Sequence, residues 1–135
     1  MSDVRATAKE FISRVERQEF LRAFDMVADD GRYILIGTTA ASRIYNDKRD
    51  LFENLMPLLS TFKEPPILKF EKPIVDGDRA VLVASGKGVG PKGPYDQPYY
   101  AFVMRVRGGQ FSEIIEFADT VMVETAIFGR KVVAA

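Results

Sequence analysis

Two carboxylates interrupt an apolar stretch near the C-terminal end of the chain. Glu116 and Asp119 lie within residues 108–129, which read GGQFSEIIEFADTVMVETAIFG. A carboxylate in a water-poor site has a raised pKa and can give or take a proton near neutral pH. The two residues are therefore candidate acid–base groups, with Glu116 preferred to Asp119.

Strand periodicity separates these carboxylates. Side chains alternate between the faces of a strand, so Glu116 shares a face with Ile114 and Ala118, while Asp119 shares the other with Phe117. The small Ala118 leaves room for a ligand, which favours Glu116 facing inward, and a β-bulge would be needed to turn Asp119 inward too. The alternative is structural: each carboxylate bonds an arginine, a tyrosine or a backbone amide, and an Asp-Thr pair at a strand end favours local backbone bonds.

The sequence contains no cysteine and no histidine. Thiolate nucleophiles, the Ser-His-Asp arrangement and the commonest zinc ligands are therefore excluded. Proton transfer must use Asp, Glu, Tyr or Lys, and Tyr33 and Tyr100 are phenols that can donate to a substrate oxygen. We predict no metal and no cofactor. No Asp-rich calcium loop occurs, although composition leaves an Asp/Glu site for magnesium or calcium open, and residues 86–90 lack the context of a phosphate-binding loop.

Length and charge narrow the class of protein. The 135 residues suit one domain, residues 1–135, and 19 basic residues balance 19 acidic ones. This balance does not favour a nucleic-acid partner. No stretch approaches the roughly 20 apolar residues of a membrane span. The first ten residues carry charges where a secretory signal needs an apolar run, so we expect a cytoplasmic protein without membrane attachment.

The pattern of apolar residues predicts helices in the first half of the chain and strands in the second. Helices are expected over residues 4–15, with Ser2 or Asp3 as N-cap, and over 20–27, ending at residues 29–31. A third is expected over 47–62, with Asn46 or Asp47 as N-cap and shortened by Pro57. Strands are expected over residues 32–37, 67–75, 79–87, 99–107 and 110–123, with a Gly/Pro-rich loop over 88–98. This order predicts an α+β fold with the helices on one face of an antiparallel sheet. In the strand over 99–107, alternation is expected to turn Tyr100, Phe102, Met104 and Val106 toward the helices.

Several segments resemble a known superfamily. MVADD (26–30), YAFVMRV (100–106), EFADT (116–120) and the pair Phe128-Gly129 are similar to SnoaL-like and ketosteroid-isomerase-like members of the nuclear transport factor 2-like superfamily. The resemblance spans nearly the whole chain. It implies a cone, in which a curved antiparallel sheet wraps around three helices and encloses an apolar pocket. It also implies a homodimer formed through the outer face of the sheet.

The catalytic positions of three relatives are only partly present. Those of ketosteroid isomerases fall at Leu35, Phe11 and Phe102, which are apolar here, so that mechanism is not expected. Limonene epoxide hydrolases place an aspartate near Glu116, and an arginine and second aspartate near Arg79 and Val81. SnoaL-type cyclases place an acid–base aspartate close to the position of Asp119 but also use a histidine, which this chain lacks.

The resemblance therefore implies a pocket for a compact apolar molecule of the terpenoid, steroid or polyketide kind, with isomerase, cyclase or hydrolase chemistry by Glu116 or Asp119. The predicted ligand-binding residues are Phe11, Val15, Tyr33, Leu35, Leu55, Leu59, Arg79, Val81, Tyr100, Phe102 and Met104. Two alternatives are a non-catalytic ligand-binding or dimerisation domain, and an accessory protein that associates through the sheet face of residues 99–107.

Overall fold

The computed structural model describes residues 3–135, with most of the helices in the first half of the chain and most of the strands in the second. The helices are α1 Val4–Glu16, α2 Phe20–Phe24, α3 Lys48–Asn54, a 3₁₀ helix Met56–Thr61, α4 Thr120–Met122 and a π-helix Val123–Ile127. The strands are β1 Val27–Leu35, β2 Arg43–Tyr45, β3 Glu64–Phe70, β4 Ile74–Asp76, β5 Arg79–Gly90, β6 Gly93–Arg107 and β7 Gln110–Phe117.

The strands form one curved, unclosed sheet in the order β2-β1-β7-β6-β5-β3, with β4 paired to β5. Every pairing is antiparallel except that of β1 with β7, which is parallel. The predicted α+β cone is thus confirmed, with this one parallel pair added. The pair joins the first strand to the last and sets Leu35 opposite Glu116.

Local signals define α1 and α3. The side chain of Asp3 accepts a hydrogen bond from the backbone N–H of Ala6 and caps α1, while Ser2 lies outside the described residues. Asp47 caps α3 in the same way through the N–H of Asp50. A capping oxygen satisfies one of the N–H groups that a helix leaves unpaired at its start. Pro57 shortens α3 as predicted, because the chain continues beyond Asn54 only as a 3₁₀ helix.

The prediction for residues 20–31 was wrong beyond Phe24. Helix α2 ends there, and the Asp29-Asp30-Gly31 segment lies inside β1 rather than after a helix. The pairing of β1 with β7 is irregular between Val27 and Arg32, so the two exposed aspartates occupy the irregular part of the strand. A Cβ atom on Gly31 would lie 2.7 Å from the carbonyl oxygen of Phe111, which explains why glycine stands at this close approach.

Two further corrections concern the second half of the chain. The loop predicted over residues 88–98 is a continuation of β5 and β6, which pair as far as Gly90 and Gly93. The strand predicted over residues 110–123 ends at Phe117, and α4 and the π-helix follow it.

The inner face of the sheet forms the core with the helices. Along β6, the predicted inward residues Tyr100, Phe102, Met104 and Val106 are all buried, whereas Tyr99 is 75% exposed. Phe11 of α1 is fully buried and makes edge-to-face contacts with three other rings. Such contacts are a favourable geometry for aromatic pairs. The helices and the concave sheet face therefore meet around an aromatic centre.

Candidate functional site

An internal cavity of about 100 Å³ lies between the helices and the inner face of the sheet. Its lining comprises Phe11, Val15, Phe20, Phe24, Tyr33, Leu35, Ala41, Leu55, Met56, Leu58, Leu59, Phe62, Pro66, Leu68, Tyr95, Tyr100, Phe102, Glu116, Val123 and Ile127. Within this lining, the side-chain oxygens belong to three tyrosines and Glu116. The cavity is therefore an apolar space with a few polar groups, as small-molecule sites usually are.

Glu116 is brought to the cavity by the parallel pairing of β1 and β7. Its neighbour across the pairing is Leu35, and Tyr33 lies two residues earlier on the same face of β1. The Tyr33 hydroxyl donates a hydrogen bond to the Glu116 carboxylate. A backbone bond of 3.2 Å from the N–H of Ile36 to the carbonyl oxygen of Glu116 fixes the strand at the same level.

The surroundings of Glu116 disfavour its charged form. Burial raises the pKa of Glu116 above its ordinary value of 4.5, and the bond from Tyr33 opposes that rise. Burial also raises the pKa of Tyr33 well above 10, with the charge of Glu116 as the next cause. Tyr33 therefore stays protonated and donating while Glu116 changes its charge.

A second polar group in the cavity joins Tyr95, Gln97 and Tyr100. The Tyr100 hydroxyl donates to the Tyr95 oxygen at 3.0 Å, and the Gln97 amide donates to the same oxygen at 3.3 Å. Gln97 is fully buried and also bonds the backbone of Asp119, donating to its carbonyl at 2.9 Å and accepting from its N–H at 2.8 Å. The network thereby ties β6 to the segment that follows β7.

A bulge in β6 makes this network possible. Ala84 pairs with Tyr100 and Gly86 with Gln97, so three steps along β6 face two steps along β5. One extra residue shifts the alternation of side chains by one. As a result Tyr95, Gln97 and Tyr100 all point inward, although regular alternation would place Tyr95 and Tyr100 on opposite faces.

The predicted ligand-binding residues divide into two sets. Those that line the cavity are Phe11, Val15, Tyr33, Leu35, Leu55, Leu59, Tyr100 and Phe102, together with the candidate acid Glu116. Those that do not are Arg79, Val81 and Met104. On β5 the buried residues are Ala80, Leu82 and Ala84, so alternation turns Arg79 and Val81 to the outer face, while Met104 is buried in the core beside the cavity.

Asp119 lies outside the cavity lining, and its side chain is occupied elsewhere. It follows the end of β7 and caps α4, where its carboxylate accepts from the backbone N–H groups of Val121 at 3.0 Å and Met122 at 3.4 Å. This is the local backbone bonding that the sequence suggested as the structural alternative for Asp119. The residue contributes to the site through its backbone, which holds Gln97.

Sequence reasoning missed several cavity residues. Tyr95 was placed in a loop, and the β6 bulge that turns it inward has no clear sequence signal beyond the Pro98 that interrupts the strand. The other missed residues come mainly from α2, the 3₁₀ helix and the π-helix: Phe20, Phe24, Leu58, Phe62, Val123 and Ile127. Val123 and Ile127 were missed because the last strand was predicted to extend too far.

Within residues 3–135, no cluster of three or more metal-binding side chains occurs. None of the helices in this part of the chain is long and apolar enough to cross a membrane.

No protein-family model matches the sequence, and no curated protein matches it. Solved structures do match the fold. An NTF2-like protein from Burkholderia thailandensis superposes with a TM-score of 0.78 at 17% identity, covering 93% of this chain and 98% of its own. A protein from Jannaschia sp. CCS1 assigned as a SnoaL-like polyketide cyclase superposes with a TM-score of 0.70 at 17% identity, covering 97% of this chain and 98% of its own. TerC, co-crystallised with polyporic acid, superposes with a TM-score of 0.75 at 13% identity, covering 93% of this chain and 98% of its own.

These likenesses define the architecture. The chain has the nuclear transport factor 2-like fold, shared with SnoaL-like proteins, in agreement with the resemblance noted in the sequence. A fold of this kind supports many unrelated activities. The function must therefore be argued from the cavity of this chain.

Proposed function

We propose that this protein binds a compact, uncharged, mainly apolar molecule in the cavity and that Glu116 transfers a proton to or from it. The observation that carries the proposal is the Glu116 carboxyl in an otherwise apolar space, with its pKa raised by burial and its charged form bonded by Tyr33. A carboxyl with a pKa closer to neutrality serves as an acid or a base at working pH. Isomerisation, cyclisation and water addition all use such a step.

The fold neighbours supply independent support for a small-molecule role. One is assigned as a polyketide cyclase, and TerC was co-crystallised with a small organic acid. The cavity is smaller than the roughly 300–1,000 Å³ of typical ligand pockets. We therefore propose a compact, monocyclic or acyclic member of the terpenoid or polyketide-like classes. The four fused rings of a steroid are too large for this cavity. Arg79, Val81, Met104 and Asp119 are left out of the proposed site because they do not line the cavity.

Deuterium exchange into a small carbon acid tests the proton transfer. We expect the wild-type protein to accelerate the exchange of the α-hydrogens of cyclohexanone in D₂O, followed by NMR, and Glu116→Gln to remove the acceleration while preserving the fold. General acid–base catalysis contributes about 10²–10⁴-fold in rate. Glu113→Gln is the matched control, because Glu113 lies on the same strand but pairs with the partly exposed Arg32. Binding without exchange would favour the non-catalytic ligand-binding domain.

The homodimer is a separate part of the proposal. Tyr99 and Phe117 are 75% and 44% exposed on strands β6 and β7, and Phe117 pairs with Ala101 on the same outer region of the sheet. Exposed apolar groups of this size are consistent with an interface. Light scattering after gel filtration should give twice the chain mass, and Phe117→Lys should halve it; a monomeric wild type would contradict the dimer. The cytoplasmic location stays a prediction.

A further inference from the structure

The hydroxyl group of Tyr95 is a hydrogen-bond donor in the wall of the cavity. A phenol oxygen has two lone pairs and one proton. Both lone pairs of Tyr95 are engaged, one by the Tyr100 hydroxyl at 3.0 Å and one by the Gln97 amide at 3.3 Å. Within residues 3–135, the Tyr95 proton itself has no acceptor. Buried donors seldom remain without a partner.

The backbone of Asp119 fixes the direction of these bonds. The Gln97 carbonyl oxygen accepts from the Asp119 N–H, and the Gln97 amide nitrogen donates to the Asp119 carbonyl. Reversing the amide would set donor against donor and acceptor against acceptor, so the second N–H of Gln97 must face Tyr95. The Tyr100 hydroxyl is the donor in the bond between the two tyrosines, so the phenolic proton left over in the cavity is that of Tyr95.

The surroundings restrict what can accept this proton. Tyr95 and Tyr100 both line the cavity, and burial raises the pKa of Tyr95 to about 12, so the group remains a donor across the physiological range. The lining contains no lysine or arginine, and the carboxylate of Glu116 opposes a second negative charge. These surroundings favour an acceptor on an uncharged ligand over one on an anion.

The size of the cavity restricts the ligand further. Its volume is about 100 Å³. Engineered apolar cavities of about 150 Å³ hold one benzene molecule. Because this cavity is smaller, a rigid body larger than a single six-membered ring is excluded without a substantial movement of the walls.

We propose that Tyr95 is the hydrogen-bond donor that recognises a carbonyl oxygen on an uncharged, single-ring ligand. This inference rests on the proposed function, because it assumes that the ligand occupies the cavity beside Glu116. Gln97 is a positioning residue that acts through Tyr95.

Two ligands of the same shape test the inference. Cyclohexanone carries the acceptor oxygen, and methylenecyclohexane replaces that oxygen with a CH₂ group. Their dissociation constants are measured by NMR titration against the wild type, Tyr95→Phe and the control Tyr45→Phe. The hydroxyl of Tyr45 is buried like that of Tyr95, but it bonds the backbone carbonyl of Ala41 and does not line the cavity.

We expect Tyr95→Phe to raise the dissociation constant of cyclohexanone about 3- to 10-fold, the effect of one hydrogen bond, and to leave that of methylenecyclohexane unchanged. Tyr45→Phe should change neither dissociation constant. Equal effects of Tyr95→Phe on both ligands, or none on either, would overturn the role of Tyr95 and leave ligand binding intact. If the wild type binds neither cyclohexanone nor methylenecyclohexane, the proposed function and this inference are both overturned.

A measurement on the wild type covers the case in which Tyr95→Phe does not fold. The infrared carbonyl band of bound ¹³C-labelled cyclohexanone should lie at lower frequency than in a hydrocarbon solvent, because a hydrogen bond weakens the C=O bond. A band at the hydrocarbon position would overturn the inference without any variant.

Discussion

Replacing Tyr33 with phenylalanine should destabilise the protein by an amount that depends on pH. Tyr33 is buried and donates its hydroxyl proton to the Glu116 carboxylate. A hydrogen bond to an ionised acceptor contributes about 1.5–3 kcal/mol to stability, and one between neutral groups about 0.5–1.5 kcal/mol. The free energy lost in Tyr33→Phe should therefore be about 1 kcal/mol larger when Glu116 is ionised.

The direction of the pH dependence follows from the raised pKa of Glu116. Burial raises that pKa above the ordinary value of 4.5, which holds in the unfolded chain. The folded state then binds the Glu116 proton more tightly than the unfolded chain does. The contribution of this proton to the free energy of unfolding is therefore complete below pH 4.5 and is lost as the pH rises through the folded pKa. The bond from Tyr33 favours the ionised form and limits this loss. Removing it raises the folded pKa further and makes the decline larger.

Urea unfolding followed by circular dichroism gives the free energy of unfolding of the wild type and of Tyr33→Phe at roughly pH 4 and pH 8.5. Tyr45→Phe is the matched control, because Tyr45 is buried and donates to the carbonyl oxygen of Ala41 at 2.6 Å, an acceptor that does not titrate. Its loss should be the same at both pH values. A loss for Tyr33→Phe that is equal at the two pH values, or larger in acid, would refute the reasoning about the Tyr33–Glu116 pair.

Three further predictions concern stability, measured by urea unfolding at neutral pH. Leu51→Ala should cost about 2–5 kcal/mol because Leu51 is fully buried, whereas Leu21→Ala, at a residue 60% exposed, should change stability by less than about 0.5 kcal/mol; similar losses would contradict the packing described. Asp119→Ala should cost about 1 kcal/mol by removing a helix cap, and Asp119→Asn much less. Gly90→Ala should cost about 1–3 kcal/mol because its Cβ would lie 2.5 Å from the carbonyl oxygen of Ala126; a neutral effect would show that the π-helix can move away.

Elements defined by neighbouring residues could be predicted from the sequence. The alternation of Tyr100, Phe102 and Met104 identified the inner face of β6, and their burial agrees with it. The Asp47 cap and the break at Pro57 were also visible, because each acts within one helical turn. Such signals need no knowledge of the rest of the chain.

Elements defined by distant pairing could not be predicted in this way. Glycine and proline between residues 86 and 98 are typical of a loop, yet these residues continue β5 and β6. Here the glycines admit close neighbours: a Cβ on Gly88 would lie 2.6 Å from the carbonyl oxygen of Glu64. Glycine in a strand often marks such a close approach, but the sequence does not say which chain segment approaches.

The candidate site shows the same division. Glu116 was the favoured inward acid, and it lines the cavity beside Tyr33, which the sequence also singled out as a phenol donor. Tyr95 was not found, because its orientation depends on one extra residue in β6 relative to β5. A shift of one residue reverses the face of every side chain beyond it, and propensity alone does not locate such a shift.

The parallel pairing of β1 with β7 determines when, during synthesis, Glu116 becomes buried beside Tyr33. Tyr33 and Glu116 are separated by 83 positions along the chain. During synthesis, β1 emerges long before its neighbour, and Glu116 remains a solvated side chain of ordinary acidity until β7 docks beside β1. The buried Tyr33–Glu116 pair therefore exists only after β7 has docked beside β1, and a chain that ends before β7 does not carry it.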